Sequence, residues 1–176
     1  KRSANFFSGK IKNYYLRPVL GGLIILVMTL ILRTTDYNGS GMDVIIRATE
    51  GGTVVPYAFL LKIIFTAVTI GSGFRGGEIV PTMFIGATLG CTAAALLGLP
   101  PSFGAALGIA AMFCAVVNCP MASICLASEL FGGIGFFYFA AAIGISYVLS
   151  GYYGLYSSQK IMYSKLHAEY INRNVN

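Results

Sequence analysis

Gly71-Ser72-Gly73-Phe74-Arg75-Gly76-Gly77-Glu78-Ile79-Val80-Pro81 is the stretch that decides how this chain is read. Four glycines within residues 71–77 rule out a regular helix, so the stretch is a loop. Apolar segments flank it closely, residues 53–71 before it and 79–97 after it. Irregular backbone at membrane depth is stable only when it is buried in protein or lines a wet cavity. Pro81 suits the first turn of a helix, where its missing N–H leaves no acceptor unserved.

Composition places that loop in a membrane. The chain has 176 residues, 56% hydrophobic and 10% charged, with a mean hydropathy of +0.76. Soluble domains carry about 25% charged residues, so this chain lacks the polar surface to cover a globule in water. The net charge of +6 is unevenly spread. Five basic residues fall within positions 1–17 and three within 160–173, and from 79 to 159 the only charge is Glu129. Charged flanks around a long neutral middle describe a membrane protein. They argue against soluble enzymes, nucleic-acid readers and disordered tails. The chain opens Lys1-Arg2 without a methionine, which reads as a segment of a longer protein.

Outward from the loop, the chain reads as one transmembrane region over 1–176. Residues 1–18, with Phe6, Phe7, Tyr14 and Tyr15 among the basic side chains, are expected at the interface. Residues 19–155 are expected in the membrane, and 156–176 as a final helix and cytoplasmic tail. Segment 19–32 is short for a hydrocarbon core of roughly 30 Å, and its flanking arginines would snorkel or the helix would run into its flanks. A polar turn with Asn38-Gly39-Ser40-Gly41 precedes a short helix over 42–49. Lys62 interrupts the next apolar segment and should face protein, water or a headgroup rather than lipid. Gly86 and Gly90 form a G-x-x-x-G pair that permits close helix packing. Gly98-Leu99-Pro100-Pro101 breaks the chain, and Ser102 is the expected N-cap of a helix over 103–117. Asn118-Cys119-Pro120 breaks it again before a short helix over 121–130. A span over 136–149, a turn over 151–154 and a polar helix over 156–172 follow. That last helix would carry Met162, Leu166 and Tyr170 as an i, i+4, i+8 stripe. Cys91, Cys114, Cys119 and Cys125 make no C-x-x-C pair, and His167 sits in the polar tail, so they read as packing residues rather than a metal site. Short apolar helices broken by Gly and Pro characterise transporters whose half-helices end inside the membrane.

A helix start delivered to mid-membrane by a glycine loop has a specific capability. Its first turn carries unpaired N–H groups and about +0.5 of an elementary charge. It binds an anion without a fixed cation. Gly76 and Gly77 leave room for a ligand to reach the backbone. Physics alone leaves two readings open, an anion site and a re-entrant loop with a packing role.

The glycine stretch, continuing through Phe84, Gly86 and Gly90, resembles the CLC chloride channel and transporter signature, G-x-G-x-x-G-G-x-F-x-P followed by a glycine-spaced helix. Residues 17–41, with Asn38-Gly39-Ser40-Gly41, are similar to the helix and turn that open the second half of that family. Asn118-Cys119-Pro120 through Glu129 and Gly154-Leu155-Tyr156-Ser157 resemble its later helices. The resemblance covers nearly the whole chain, in order. It implies an all-α membrane protein of broken and tilted helices, the second inverted-repeat half of the CLC fold. It also implies that the amides of Ile79 and Val80 and the hydroxyl of Tyr156 hold a dehydrated anion. Gly73, Gly76, Gly77 and Pro81 would shape the supporting loop. Glu129 would be structural, near a dimer interface. Chloride would be the ligand, with no cofactor, no metal and no catalytic residue. The expected partners are the bilayer, an N-terminal half of the same protein and a second copy. The expected location is the plasma membrane, as a multi-pass protein, with the basic tail after Lys160 in the cytoplasm.

Two departures bear on the site. Ile79 stands where the family usually has Phe, and Glu78 where an apolar or small residue is common. The loops that carry the family's serine and its gating glutamate belong to the other half and are not found in this chain. A fluoride-type variant is a further reading, against which the retained Tyr156 speaks. A non-transporting scaffold of the same fold is another. A membrane serine protease is disfavoured, because neither Ser72 nor Ser150 lies in a G-x-S-G setting and His167 is outside the apolar region.

Overall fold

A computed structural model describes residues 16–74, 76–156, 158–167 and 169–175. The interfacial segment expected over 1–18 therefore falls almost wholly outside the described residues, as does Arg75. Helix α1 spans Leu16–Leu32, so it runs into its N-terminal flank and takes Arg17 into its first turn. Arg33, at φ 51°, ends it. The Asn38–Gly41 turn needs Gly39 and Gly41 at positive φ. A Cβ on Gly41 would also press on the Phe84 ring at 2.7 Å. Helix α2, Met42–Ile46, continues into a single π turn over Arg47–Gly51, so the one short helix expected over 42–49 is two pieces. Arg47 reaches back to Asp36 at 2.7 Å.

Helix α3 spans Ala58–Gly71 and α4 spans Ile79–Leu96, with the glycine loop between them as expected. Helix α5 is Pro101–Val117, α6 is Pro120–Phe131 and α7 is Phe136–Leu149. Proline sets the start of α5 and α6, since its fixed φ is already helical and its missing N–H costs nothing there. Ser102 does not cap α5: Pro100 holds the N-cap position and no side chain bonds the first turn. Asn118 stops α5 in the left-handed conformation, φ 56°, and Gly132, φ 72°, stops α6. Only α4 among the described helices is long and apolar enough to cross a membrane; the other apolar helices have 17 residues or fewer.

Helices α4 and α5 form the closest pair. A Cβ on Gly86 would collide with the Gly108 carbonyl, and one on Gly90 with the Gly104 carbonyl. The G-x-x-x-G face of α4 thus meets a second one, Gly104 and Gly108, on an antiparallel helix. Around this seam lie two apolar clusters. One joins Tyr37, Val44, Phe65, Phe84, Cys91 and Ile109. The other joins Ala110, Cys114, Ala127, Phe139 and Ile143. Cys91 and Cys114 are buried within them, whereas Cys125 is exposed on α6.

The tail departs from expectation. The described residues of 156–172 do not form a helix. Strands β1, Lys160–Tyr163, and β2, Tyr170–Asn174, make an antiparallel hairpin with Tyr163 opposite Tyr170. Met162, Leu166 and Tyr170 are all exposed, on β1, the turn and β2, so the helical stripe does not exist. The physical reason is docking to helix ends. Lys165 donates to Asn118 Oδ1, to Tyr147 O at 2.9 Å and to Ser150 Oγ at 2.9 Å. Its ammonium also lies 4.1 Å from the Tyr147 ring centre. A cation at the carbonyl ends of α5 and α7 meets their negative dipole ends. Gln159 adds a bond to Val117 O at 3.1 Å. A hairpin brings Gln159 and Lys165 onto these carbonyls together.

Candidate functional site

The end of α3 is fixed before the loop begins. Ser72 is fully buried, and its hydroxyl donates to Val68 O at 2.7 Å. Gly21 of α1 packs against it with no room for a side chain. Gly73 then turns the chain at φ 89°. Glu78 occupies the N-cap of α4 at φ −89°, without a side-chain capping bond. Its carbonyl accepts from the Thr82 amide at 3.2 Å. Pro81 has no N–H. Two forward-pointing donors of the first turn remain, the amides of Ile79 and Val80. Neither has a backbone acceptor outside the helix among the described residues.

Val80 lines a cavity of about 510 Å³. Gly76, Gly77, Val80 and Pro81 form one wall. Tyr37, Asn38 and Gly39 from the first turn form another, and Lys62, Thr66 and Thr69 of α3 close it. Of the expected site residues, Gly76, Gly77, Val80 and Pro81 are therefore brought together. Ile79 and Gly73 do not line it. Glu78 is half-buried at the helix tip and does not line it either.

Tyr156 is placed on a different stretch. The Leu155 amide bonds Val116 O at 2.9 Å, at the C-terminal end of α5. Antiparallel packing sets that end beside the start of α4, so Tyr156 and Ile79 share one end of the pair. Tyr156 is 45% exposed and is not part of the cavity wall. Glu129 is exposed on α6.

Lys62 is the functional candidate that the sequence reading left unassigned. It faces protein, being only 1% exposed. Its ammonium donates to Tyr37 O at 3.2 Å and Gly39 O at 2.8 Å. It also lies 4.8 Å from the Phe84 ring centre. A lone charge in an apolar run was the available signal. The carbonyls that hold it lie more than twenty residues away in sequence, so they could not be read from it.

Residues 1–151 match the family described as "Voltage gated chloride channel". A chloride/fluoride channel protein of Pseudomonas syringae pv. tomato is 39% identical over 158 residues, 86% of this chain and 35% of that one. A putative chloride channel protein of Ralstonia nicotianae, described as ClcB-like, is 34% identical over 126 residues, 65% of this chain and 29% of that one. Among solved structures, a CLC-type fluoride/proton antiporter superposes with a TM-score of 0.82 at 31% identity, over 88% of this chain and 39% of that one. The chain thus spans about a third of the length of the curated relatives it matches. Its helices follow the all-α CLC fold, and members of that family are integral membrane transporters rather than enzymes. With a family match over residues 1–151 and the matching order of broken helices, the chain belongs to the voltage gated chloride channel family.

Proposed function

We propose that this chain is the second inverted-repeat half of an anion-transporting CLC protein, a channel or an H⁺/Cl⁻ exchanger, with chloride as its ion. The observation that carries the proposal is the α4 tip: a helix start, delivered by a glycine loop, that borders a cavity with Gly76, Gly77 and Val80 in its wall. The Ile79 and Val80 amides would hold the ion. The Tyr156 hydroxyl would donate to it from the same end of the α4–α5 pair. No cofactor is needed, because positioned dipoles supply the binding. Neutral donors in a low-dielectric cavity attract an anion yet release it.

The whole protein would be a multi-pass plasma-membrane homodimer whose N-terminal half completes the pathway. Apolar side chains on α6 and α7 that face away from the clusters, such as Met121, Phe137 and Leu149, suit a dimer surface or lipid. The fluoride reading draws on the relatives whose names include fluoride, and the retained Tyr156 favours chloride. Efflux from liposomes loaded with either anion, using the full-length protein, separates these readings. Chloride efflux faster than fluoride efflux supports the proposal. Fluoride preference transfers it to the fluoride variant, and no efflux with no halide binding leaves a scaffold.

A further inference from the structure

We propose that the C-terminal hairpin is a latch on Tyr156: while docked it holds the tyrosine outside the anion cavity, and Lys165 keeps it docked. The proposal rests on reading the α4 tip as the anion site. It makes Lys165 a positioning residue that acts through Tyr156.

The chain is fastened on both sides of Tyr156. Before it, the Tyr152 and Ser164 hydroxyls share a hydrogen bond at 3.0 Å, and the Leu155 amide donates to Val116 O at 2.9 Å. Asn118 joins this segment to the hairpin, because its Nδ2 donates to Tyr153 O at 2.7 Å while its Oδ1 accepts from Lys165. After it, the Gln159 side chain donates to Val117 O at 3.1 Å, and the Gln159 amide donates back to Tyr156 O at 3.1 Å. The Val175 amide ties the far end of the hairpin to Gln159 O at 3.0 Å. Tyr156 itself is 45% exposed, and among the described residues its hydroxyl has no hydrogen-bond partner. The position of that hydroxyl is therefore set by the neighbours that the docked hairpin holds.

The clasp is of a kind that opens. A two-stranded hairpin is marginal on its own, and of the described residues after Tyr156 only Ile161 and Val175 are buried apolar side chains. Lys165 meets three neutral oxygens and the Tyr147 ring. The one ion pair among the described residues joins Arg47 to Asp36, so no carboxylate holds the ammonium. Withdrawing this one side chain breaks three hydrogen bonds together. Segments fastened by a few polar contacts belong to the low-stability end of a fold. An anion that accepts from the Tyr156 hydroxyl binds the released state better than the docked one. Its apparent affinity is then reduced to the extent that the hairpin stays docked, and by reciprocity the anion itself promotes release.

The test uses purified full-length protein, with chloride titrated calorimetrically and the hairpin followed by limited proteolysis. Lys165→Met should speed cleavage within residues 158–167 and raise chloride affinity about threefold to tenfold. Tyr156→Phe should cost at least about fivefold more affinity in the Lys165→Met background than in the parent. A lysine that only stabilises the tail predicts easier cleavage and a lower melting temperature, with chloride affinity unchanged and Tyr156→Phe equally costly in both backgrounds. That result overturns the proposal. Cleavage of Lys165→Met at the parent rate overturns it too, since the lysine then does not keep the hairpin docked. Weaker chloride binding by Lys165→Met also overturns it, because the docked pose is then the productive one. A parent protein that binds no halide defeats the reading of the α4 tip itself, a failure distinct from these. Should Lys165→Met not fold, the parent alone decides. Saturating chloride should speed its cleavage within residues 158–167 at least about twofold over gluconate at equal ionic strength, and an equal or slower rate overturns the proposal.

Discussion

Ile79 and Val80 matter through their backbone, so ordinary side-chain substitution hardly tests them. Proline does, because it deletes one N–H at the first helical position, with Glu78 before it leaving its ψ of −16°. An anion–amide hydrogen bond contributes about 1.5–3 kcal/mol. Ile79→Pro should therefore weaken halide binding by about tenfold or more, while Ile79→Ala, which keeps the amide, should stay within about threefold. Calorimetric titration of the two variants side by side checks this, and equal affinities would remove the Ile79 amide from the site. Lys62 illustrates the opposite case, a side chain whose partners are backbone carbonyls of a distant turn. From the sequence, its charge among apolar neighbours was visible but its destination was not.

Elements of this molecule are held where helices touch through glycine and where helix ends meet polar caps. On the α4–α5 seam, the Gly108 carbonyl abuts Gly86 and leaves no volume for a Cβ. Gly108→Ala should separate the helices at a cost of about 1–3 kcal/mol, read as a lower melting temperature in detergent. An unchanged melting temperature would mean that the seam is not tight. At the other kind of contact, Lys165 joins the ends of α5 and α7 to the hairpin. Lys165→Ala leaves three oxygens without that donor and should release the hairpin, raising the rate of limited proteolysis within residues 158–167 about tenfold. Protection equal to the parent would show that the strands hold without the lysine. The helices that punctuation frames were legible in the sequence: α6 sits between Pro120 and Gly132, and α7 has the expected bounds. The hairpin was not, because a stripe at Met162, Leu166 and Tyr170 satisfies a helical period whether or not a helix exists, and docking to distant carbonyls decided the outcome. The partner of Gly86 and Gly90 was also unread, since a G-x-x-x-G pair marks a close-packing face without naming what packs on it.

Across the whole molecule, the glycine loop, the broken helices and their order carried the fold into the sequence reading, and the family match follows that order. The candidate site was legible at the α4 tip, where Gly76, Gly77, Val80 and Pro81 converge on the cavity. Lys62 and the first-turn residues Tyr37 and Gly39 join it only through tertiary packing. Tyr156 stands at the same end of the α4–α5 pair as Ile79 but outside the cavity wall. The account therefore centres on one place, the start of α4. Bromide anomalous diffraction from crystals of the full-length protein tests it most directly. The account predicts a peak within hydrogen-bonding reach of the Ile79 and Val80 amides. Well-diffracting crystals with bromide elsewhere and none at that tip would contradict it.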